Sequence, residues 1–474
     1  MRCLFCRTEL DSVHWAFDGV SEQPVPACKA CCERLHVRVW RVDVGGGTDL
    51  PLHVDCFHCG TPLPSADTRP VIVWVKGEHG VDGVCNACRV RYDRETLFVT
   101  QPREEREEDE AMDNPELLER LFASGGIDLC RGELFDRCPP PLPTTFDWDR
   151  VDGMLLGLAI GDALGNTTES LLPERRHELY GEIRDYVPHR WHKTLATPTD
   201  DTQLAFWTLD QMLEDGGLVP ARVAQRFASE RIFGIGHAVA QATSDLRSGE
   251  LPWYECGAPS AGNGALMRIA PMLVPFVRSP SPDLWADTAL SAIVTHNDAA
   301  STSACVAFTA MLWQLLGMDE PPEPSWWRGT YVATARDLEG ETRYASRGGV
   351  FAGYNGPLWR FVDERLAAAE AQHLTALAAC EQWWSGAYLL ETVPSALHIL
   401  ARHAGDPEEA LVRAVNDTKD NDTIAAIVGA AVGALHGAAA LPERWVRGLP
   451  GKTRSDDEGA VQRILAAARE RWGP

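Results

Sequence analysis

A chain of 474 residues exceeds the usual size of one domain, and its 45% hydrophobic content is enough to bury a large core. With 24% charged and 8% aromatic residues the composition is globular, and Lys+Arg 44 against Asp+Glu 68 leaves a net charge of −24, which opposes general attraction to nucleic acid or anionic membranes. No long apolar run follows the basic residue of MRCLFCRTEL, so no secretory signal is expected and a cytoplasmic location is.

Eight cysteines in the first 88 residues form four C-x-x-C pairs: Cys3 with Cys6, Cys28 with Cys31, Cys56 with Cys59 and Cys85 with Cys88. In a cytoplasmic chain this spacing indicates metal binding before disulfides. CLFCRTEL is echoed by CFHCGTPL 53 residues later, and PACKACCERL by GVCNACRVRY 57 residues later, so two tandem units are expected over 1–100. Four thiolates suit one tetrahedral Zn²⁺ per unit, the first held by Cys3, Cys6, Cys28 and Cys31 and the second by Cys56, Cys59, Cys85 and Cys88. A crossed LIM-like pairing through His53 is the alternative. Full sets of four leave no open position for water, so both zinc ions are expected to be structural.

Glu104–Glu119 carries nine acids and one Arg, and prolines follow at 139, 140, 141 and 143, so 101–147 is expected to be an acidic and Pro-rich linker. From 148 to 474 the apolar spacing is helical and alternating runs are scarce, which predicts a mainly α chain with an all-α second domain. Helices are expected at 149–165, 201–214, 219–248, 264–277, 283–296, 298–316, 357–380, 384–403, 407–416, 423–440 and 457–471. Gly157, Gly161 and Gly165, and again Gly429, Gly433 and Gly437, repeat every fourth residue and would let a helix backbone approach its neighbour closely. The uncharged stretch 423–441 fits such a packed helix better than a membrane span.

Two acidic clusters open apolar helices. Thr199-Asp200-Asp201-Thr202 precedes LAFWTLDQML, and Asp420-Asn421-Asp422-Thr423 precedes the Ala/Gly-rich helix. Hydroxyls and carboxylates cap helices, so either cluster alone is ordinary. Together they would supply carboxylate and threonine oxygens with no imidazole or thiolate, a donor set that selects Mg²⁺, with Mn²⁺ as a substitute.

GLAIGDALGNTTE at 157–169, PTDDT at 198–202, SAGNGALMRIAP at 260–271, THND at 295–298 and VNDTKDNDTIAAIVGAAVGALHG at 415–437 occur in this order. Together they resemble the ADP-ribosylglycohydrolase family over about 150–450. The resemblance implies a compact all-α fold, a cleft with two Mg²⁺ ions, and hydrolysis of the glycosidic bond at C1″ of ADP-ribose on a modified macromolecule. It matches Thr199, Asp200, Asp201, Asp420, Asp422 and Thr423 to metal ligands. Asp200, Asp201 or Asp422 would bridge the ions and take a proton from water. Glu169 matches a loop glutamate near the scissile bond, Gly262, Asn263 and Gly264 a loop around the ADP-ribose, and His296 a substrate-side histidine. Where the family often has Gly-Gly before its first aspartate, this chain has Thr418-Lys419, and Lys419 either contacts a phosphate or points to solvent.

A protein target is expected over a nucleic acid, because residues 1–100 balance 11 basic with 13 acidic side chains. A cognate ADP-ribosyltransferase is a candidate partner. Two alternatives stand beside hydrolysis: an immunity or regulatory protein that acts by binding such a transferase or its target, and an Mg²⁺-dependent phosphohydrolase on another nucleotide. Gly451-Lys452-Thr453 ends like a phosphate loop but lacks the leading glycine and a preceding strand.

Overall fold

The computed structural model describes residues 112–188, 194–249 and 251–473, and the backbone of short strands between residues 14 and 85. The chain divides into two compact units, Met1–Glu108 and Asp109–Pro474. In the first, β1 (His14–Phe17), β2 (Pro24–Ala27), β3 (Arg38–Trp40), β6 (Thr68–Val75) and β7 (Glu78–Cys85) form an antiparallel sheet of order β2-β1-β7-β6-β3, and β4 (Val54–Asp55) pairs with β5 (Pro62–Leu63). Strands from both Cys-rich repeats thus share one sheet. The side chains of Cys3, Cys6, Cys28 and Cys31, those of Cys56, Cys59, Cys85 and Cys88, and that of His53 all lie outside the described residues, so neither expected zinc set finds a test there.

The second unit is helical. In chain order it contains α1 (Asn114–Ser124), α2 (Asp149–Gly165), α3 (Pro173–Tyr180), α4 (Asp200–Asp215), α5 (Pro220–Ser229), α6 (His237–Ser248), α7 (Asp283–Ile293) and α8 (Ala299–Leu316). Then come α9 (Pro324–Glu339), α10 (Leu358–Ala371), α11 (Ala376–Trp383), α12 (Leu389–His403), α13 (Pro407–Asp417), α14 (Asn421–His436), α15 (Glu443–Gly448) and α16 (Ala460–Trp472). Helix α8 is long and apolar enough to cross a membrane, yet 94% of it is buried inside this unit. The pair that positions the site is α2 and α14. A Cβ added at Gly157 would lie 2.1 Å from the Gly429 carbonyl oxygen, one at Gly161 2.1 Å from that of Ala425, and one at Gly165 2.4 Å from Asp422 Cα. Only glycine permits this antiparallel contact, and it sets the C-terminal end of α2 beside the N-terminal end of α14.

Several expected boundaries shift for local reasons. The helix expected over 219–248 is two, α5 and α6, because Gly234 (φ 54°) and Gly236 break it. Pro271 and Pro275 reduce 264–277 to short 3₁₀ turns at 266–268 and 270–276. The helix expected over 357–380 is broken at His373 (φ 51°), and Thr375 caps the new start by accepting from the Ala378 amide. Helix α12 begins at Leu389 and not 384, since Trp384 (φ 80°) and Ser385 (φ 40°) are left-handed. Helix α9, not anticipated, is carried by Trp327, Tyr331, Ala335 and Leu338, a buried stripe spaced four, four and three residues apart.

The linker expectation for 101–147 is corrected from residue 112 onward. Asp113 caps α1, whose Leu117, Leu118 and Leu121 are buried, and Asn114 Nδ2 donates to Asp287 Oδ1 of α7 at 2.6 Å. The Trp285 and Trp313 indoles donate to the Arg137 and Pro140 carbonyls, so the Pro-rich stretch is part of the helical unit. An amphipathic leucine stripe outweighs the acidic composition there.

Candidate active site

Helix α4 begins at a knot of hydrogen bonds. Asp162, buried near the end of α2, accepts from the Thr199 amide at 3.0 and 3.1 Å, the Thr199 hydroxyl at 2.8 Å, the Thr202 amide at 3.1 Å and the Thr202 hydroxyl at 2.5 Å. Asp162 therefore caps α4 from another helix, beside the local cap in which Thr199 Oγ1 accepts from the Asp201 amide at 3.4 Å. Thr199 Oγ1 also lies 2.9 Å from Asp201 Oδ2. Thr423 Oγ1, in the first turn of α14, reaches the same Asp201 oxygen at 3.5 Å.

Because α2 and α14 touch backbone to backbone, the carboxylates at the two helix starts converge. Asp162, Asp201 and Asp422 each place an oxygen within 4.8 Å of the others, as do Glu169, Asp420 and Asp422, so Asp422 joins both groups. Asp200 stands outside them and accepts from the Gly236 amide at 3.4 Å, beneath the loop that splits α5 from α6. Burial, reinforced by neighbouring carboxylates, pushes Asp200, Asp201 and Asp422 well above the usual range. Burial raises Asp420 to about 6, against the Asn263 hydrogen bond and the nearby charges of Lys419 and Arg347. Asp201 Oδ1 is buried without a hydrogen-bond partner. Crowded carboxylates of this kind, one oxygen of them orphaned, make a candidate site for a divalent cation held by oxygen ligands.

Glu169 lies at the exposed edge of this cluster, where partial burial and then the charges of Asp420 and Asp162 raise it to about 7. Its loop is held from below. Arg176, fully buried, donates to the Thr168 hydroxyl and to the carbonyls of Leu171, Asn416 and Thr418, and Asn421 Nδ2 donates to Thr168 Oγ1 at 3.0 Å. One guanidinium thus ties the Glu169 loop to the segment that leads into Asp420.

Opposite, Asn263 Nδ2 donates to Asp420 Oδ2 at 2.6 Å. His296 is buried, its ring packed under Gly262 and Gly264; a Cβ at Gly264 would lie 2.8 Å from His296 Cε1. Burial and the Arg268 charge lower His296 to about 3, so it is neutral and supports the loop from beneath. Lys419 Nζ sits over the Trp384 ring at 4.3 Å. The sequence marks out neither Asp162 nor Arg176, and Asn421 only as a member of its acidic cluster. A lone Asp beside Gly161 in an otherwise apolar helix was the available signal for the first, whereas Arg176 looked like any residue of PERRHELY.

A family model for ADP-ribosylglycohydrolase matches residues 142–474. An uncharacterised protein of Archaeoglobus fulgidus is 31% identical, over 64% of this chain and 92% of its own length. The ADP-ribosylarginine hydrolase Tri1 of Pseudomonas putida is 28% identical (63% and 73%), and the ADP-ribosyl-[dinitrogen reductase] glycohydrolase of Rhodospirillum rubrum 25% identical (68% and 97%). A solved structure of an ADP-ribosylglycohydrolase-related protein complex superposes with a TM-score of 0.50 at 25% identity, over 68% of this chain and 97% of that one.

Proposed function

The chain belongs to the ADP-ribosylglycohydrolase family, and from that membership we propose that it removes ADP-ribose from a modified protein by Mg²⁺-dependent hydrolysis at C1″. The observation that carries this reading is the meeting of Asp162, Asp201 and Asp422, and of Glu169, Asp420 and Asp422, at two helix starts. Thr199, Asp200, Asp201, Asp420, Asp422 and Thr423 would hold two Mg²⁺, and ions held there would supply stabilisation of developing negative charge. Asp162 holds Thr199 and Thr202 in place. Glu169, raised to about 7, exchanges its proton near neutral pH and stands at the rim, where it protonates the leaving group or assists the attacking water as C1″ gains oxocarbenium character. Asn263 fixes Asp420, and the Gly262–Gly264 loop over His296 offers its amides to the ADP-ribose.

Two observations support a protein target. The relatives' names specify arginine and dinitrogen reductase, and the balanced charge of residues 1–100 offers no electrostatic grip on nucleic acid. The eight paired cysteines would hold two structural Zn²⁺, one on Cys3, Cys6, Cys28 and Cys31 and one on Cys56, Cys59, Cys85 and Cys88. That unit would select the target in the cytoplasm, with a cognate transferase as a partner. Incubating purified protein and Mg²⁺ with arginine-, serine- and nucleic-acid-linked ADP-ribose tests the reading. Free ADP-ribose should appear, and most from a protein linkage. Release of AMP alone, or of nothing, overturns it.

A further inference from the structure

The segment 384–388 ties the two loops of the cleft together. Asn263 donates its amide to the Ala387 carbonyl at 3.3 Å, Leu389 donates to that of Ala261 at 2.9 Å, and the Lys419 and Asp420 amides both donate to the Ser385 carbonyl, at 3.2 and 2.9 Å. Trp384 and Ser385 hold left-handed backbone conformations that cost non-glycine residues free energy, and such strain collects at ligand sites. Trp384 remains 38% exposed although it is a large aromatic.

Two cations are parked on this segment. Lys419 Nζ lies 4.3 Å from the Trp384 ring centre, and the Arg347 guanidinium lies 4.2 Å from that of Tyr388. Arg347 is brought there by the Gly348-Gly349 turn, which has no room for a side chain: a Cβ at Gly348 would lie 2.5 Å from Trp384 Cγ, and one at Gly349 2.1 Å from the Gln382 carbonyl oxygen. Buried Glu391 faces Arg347 Nε at 3.7 Å, which orients the guanidinium. Among the described residues, neither Lys419 Nζ nor the Arg347 Nη groups make a hydrogen bond. Both cations therefore stand near Asp420 with donors available to a ligand, each held on an aromatic face of the segment.

We propose that Arg347 and Lys419 form a diphosphate clamp, gripping the pyrophosphate of ADP-ribose from the Asp420 side of the cleft. The inference rests on the proposed function for its ligand. A diphosphate suits two cations on one rim, and the guanidinium offers it paired donors.

The test is calorimetric binding of ADP-ribose to the full chain at fixed Mg²⁺, with R347Q, K419Q, the double variant and the conservative R347K and K419R. Each neutral variant should bind about tenfold more weakly and the double about 100-fold, with the conservative pair recovering most of the loss. With a small ADP-ribosylated substrate, KM should rise while kcat changes less than about twofold. Both side chains are at least partly exposed, so the fold should persist, and unchanged melting temperatures check this. Wild-type affinity in the double variant overturns the clamp, including the case in which rate falls only on an ADP-ribosylated protein, which would assign the cations to the target. A binding defect abolished by saturating Mg²⁺ also overturns it, since the cations would then only tune the carboxylates. A wild-type chain that binds no ADP-ribose overturns this inference and the proposed function together.

Discussion

Asp201 carries the electrostatic cost of the site most directly: it is buried, one oxygen is orphaned, and Asp162, Asp200 and Asp420 crowd it. Replacing it or Asp422 with Asn keeps the volume and removes one charge from a repelling cluster. Turnover should fall about 100-fold or more in either variant. Melting temperature in EDTA should hold or rise by about 2–5 °C, because the metal-free fold is relieved of repulsion. A kinetic assay at modest Mg²⁺ with normal turnover in either variant would place the metals elsewhere. The same carboxylates give the metal-free protein an unusual pH response. A carboxyl whose pKa is raised on folding binds its proton more tightly folded than unfolded, so it stabilises at low pH and that contribution is lost as pH rises through the folded value. For Glu169 that value is about 7, with Asp420 at about 6 and the buried aspartates well above their usual range. In EDTA, melting temperature should therefore drop between pH 6.5 and pH 8.5, a range in which the lowered histidines His296, His398 and His403 add little. Mg²⁺, which binds the ionised form, should flatten or reverse the trend. Thermal melts with and without Mg²⁺ decide the sign.

At the scale of elements, the α2–α14 contact does two jobs. It buries two apolar helices, and it brings the Asp162 end of one to the Asp422 end of the other. Gly157→Ala would force a methyl to within 2.1 Å of the Gly429 carbonyl oxygen, so the helices must separate. We expect a loss of about 3 kcal/mol in stability and weaker Mg²⁺ binding by about tenfold, because the two carboxylate groups lose their shared geometry. Gly217→Ala, with nothing within 4 Å of the added Cβ, is the control and should leave both unchanged. Denaturant melts and Mg²⁺ titrations of the two variants make the comparison; equal behaviour would show that the glycine stripe does not set the site.

For the whole molecule, the boundary at Glu108 decides where the helical unit can be cut. A truncation beginning at Asp109 keeps α1 and should cleave a small ADP-ribosylated substrate about as fast as the full chain. One beginning at Thr144 removes Leu117, Leu118 and Leu121, each contributing about 2 kcal/mol by burial. It also strips partners from the Trp285 and Trp313 indoles. That shorter form should melt far lower or fail to fold, and parallel thermal melts of the two truncations check the ranking. A slow Asp109 form, folded and metal-loaded, would mean that the first unit completes the active site.

What was legible in the chain is local in origin. A cap needs only four residues, so Thr199–Thr202 and Asp420–Thr423 announced two helix starts of matching chemistry, and the Gly-x-x-x-Gly stripes announced a close helix pair. The C-x-x-C repeat was equally plain in the sequence. The partners of these features are long-range, and spacing does not encode them. Backbone complementarity between two distant glycine stripes sets the register that joins Asp162 to Asp422. A left-handed Trp384 and a tight Gly348-Gly349 turn set Arg347 over the Tyr388 ring. His296, which looked like a substrate-side residue by its motif, lies beneath the loop because Gly262 and Gly264 leave room for its ring. The acidic stretch Glu104–Glu119 points to a linker by composition, which reports solvation on average, whereas α1 buries one leucine face whose partner, α7, lies far along the chain.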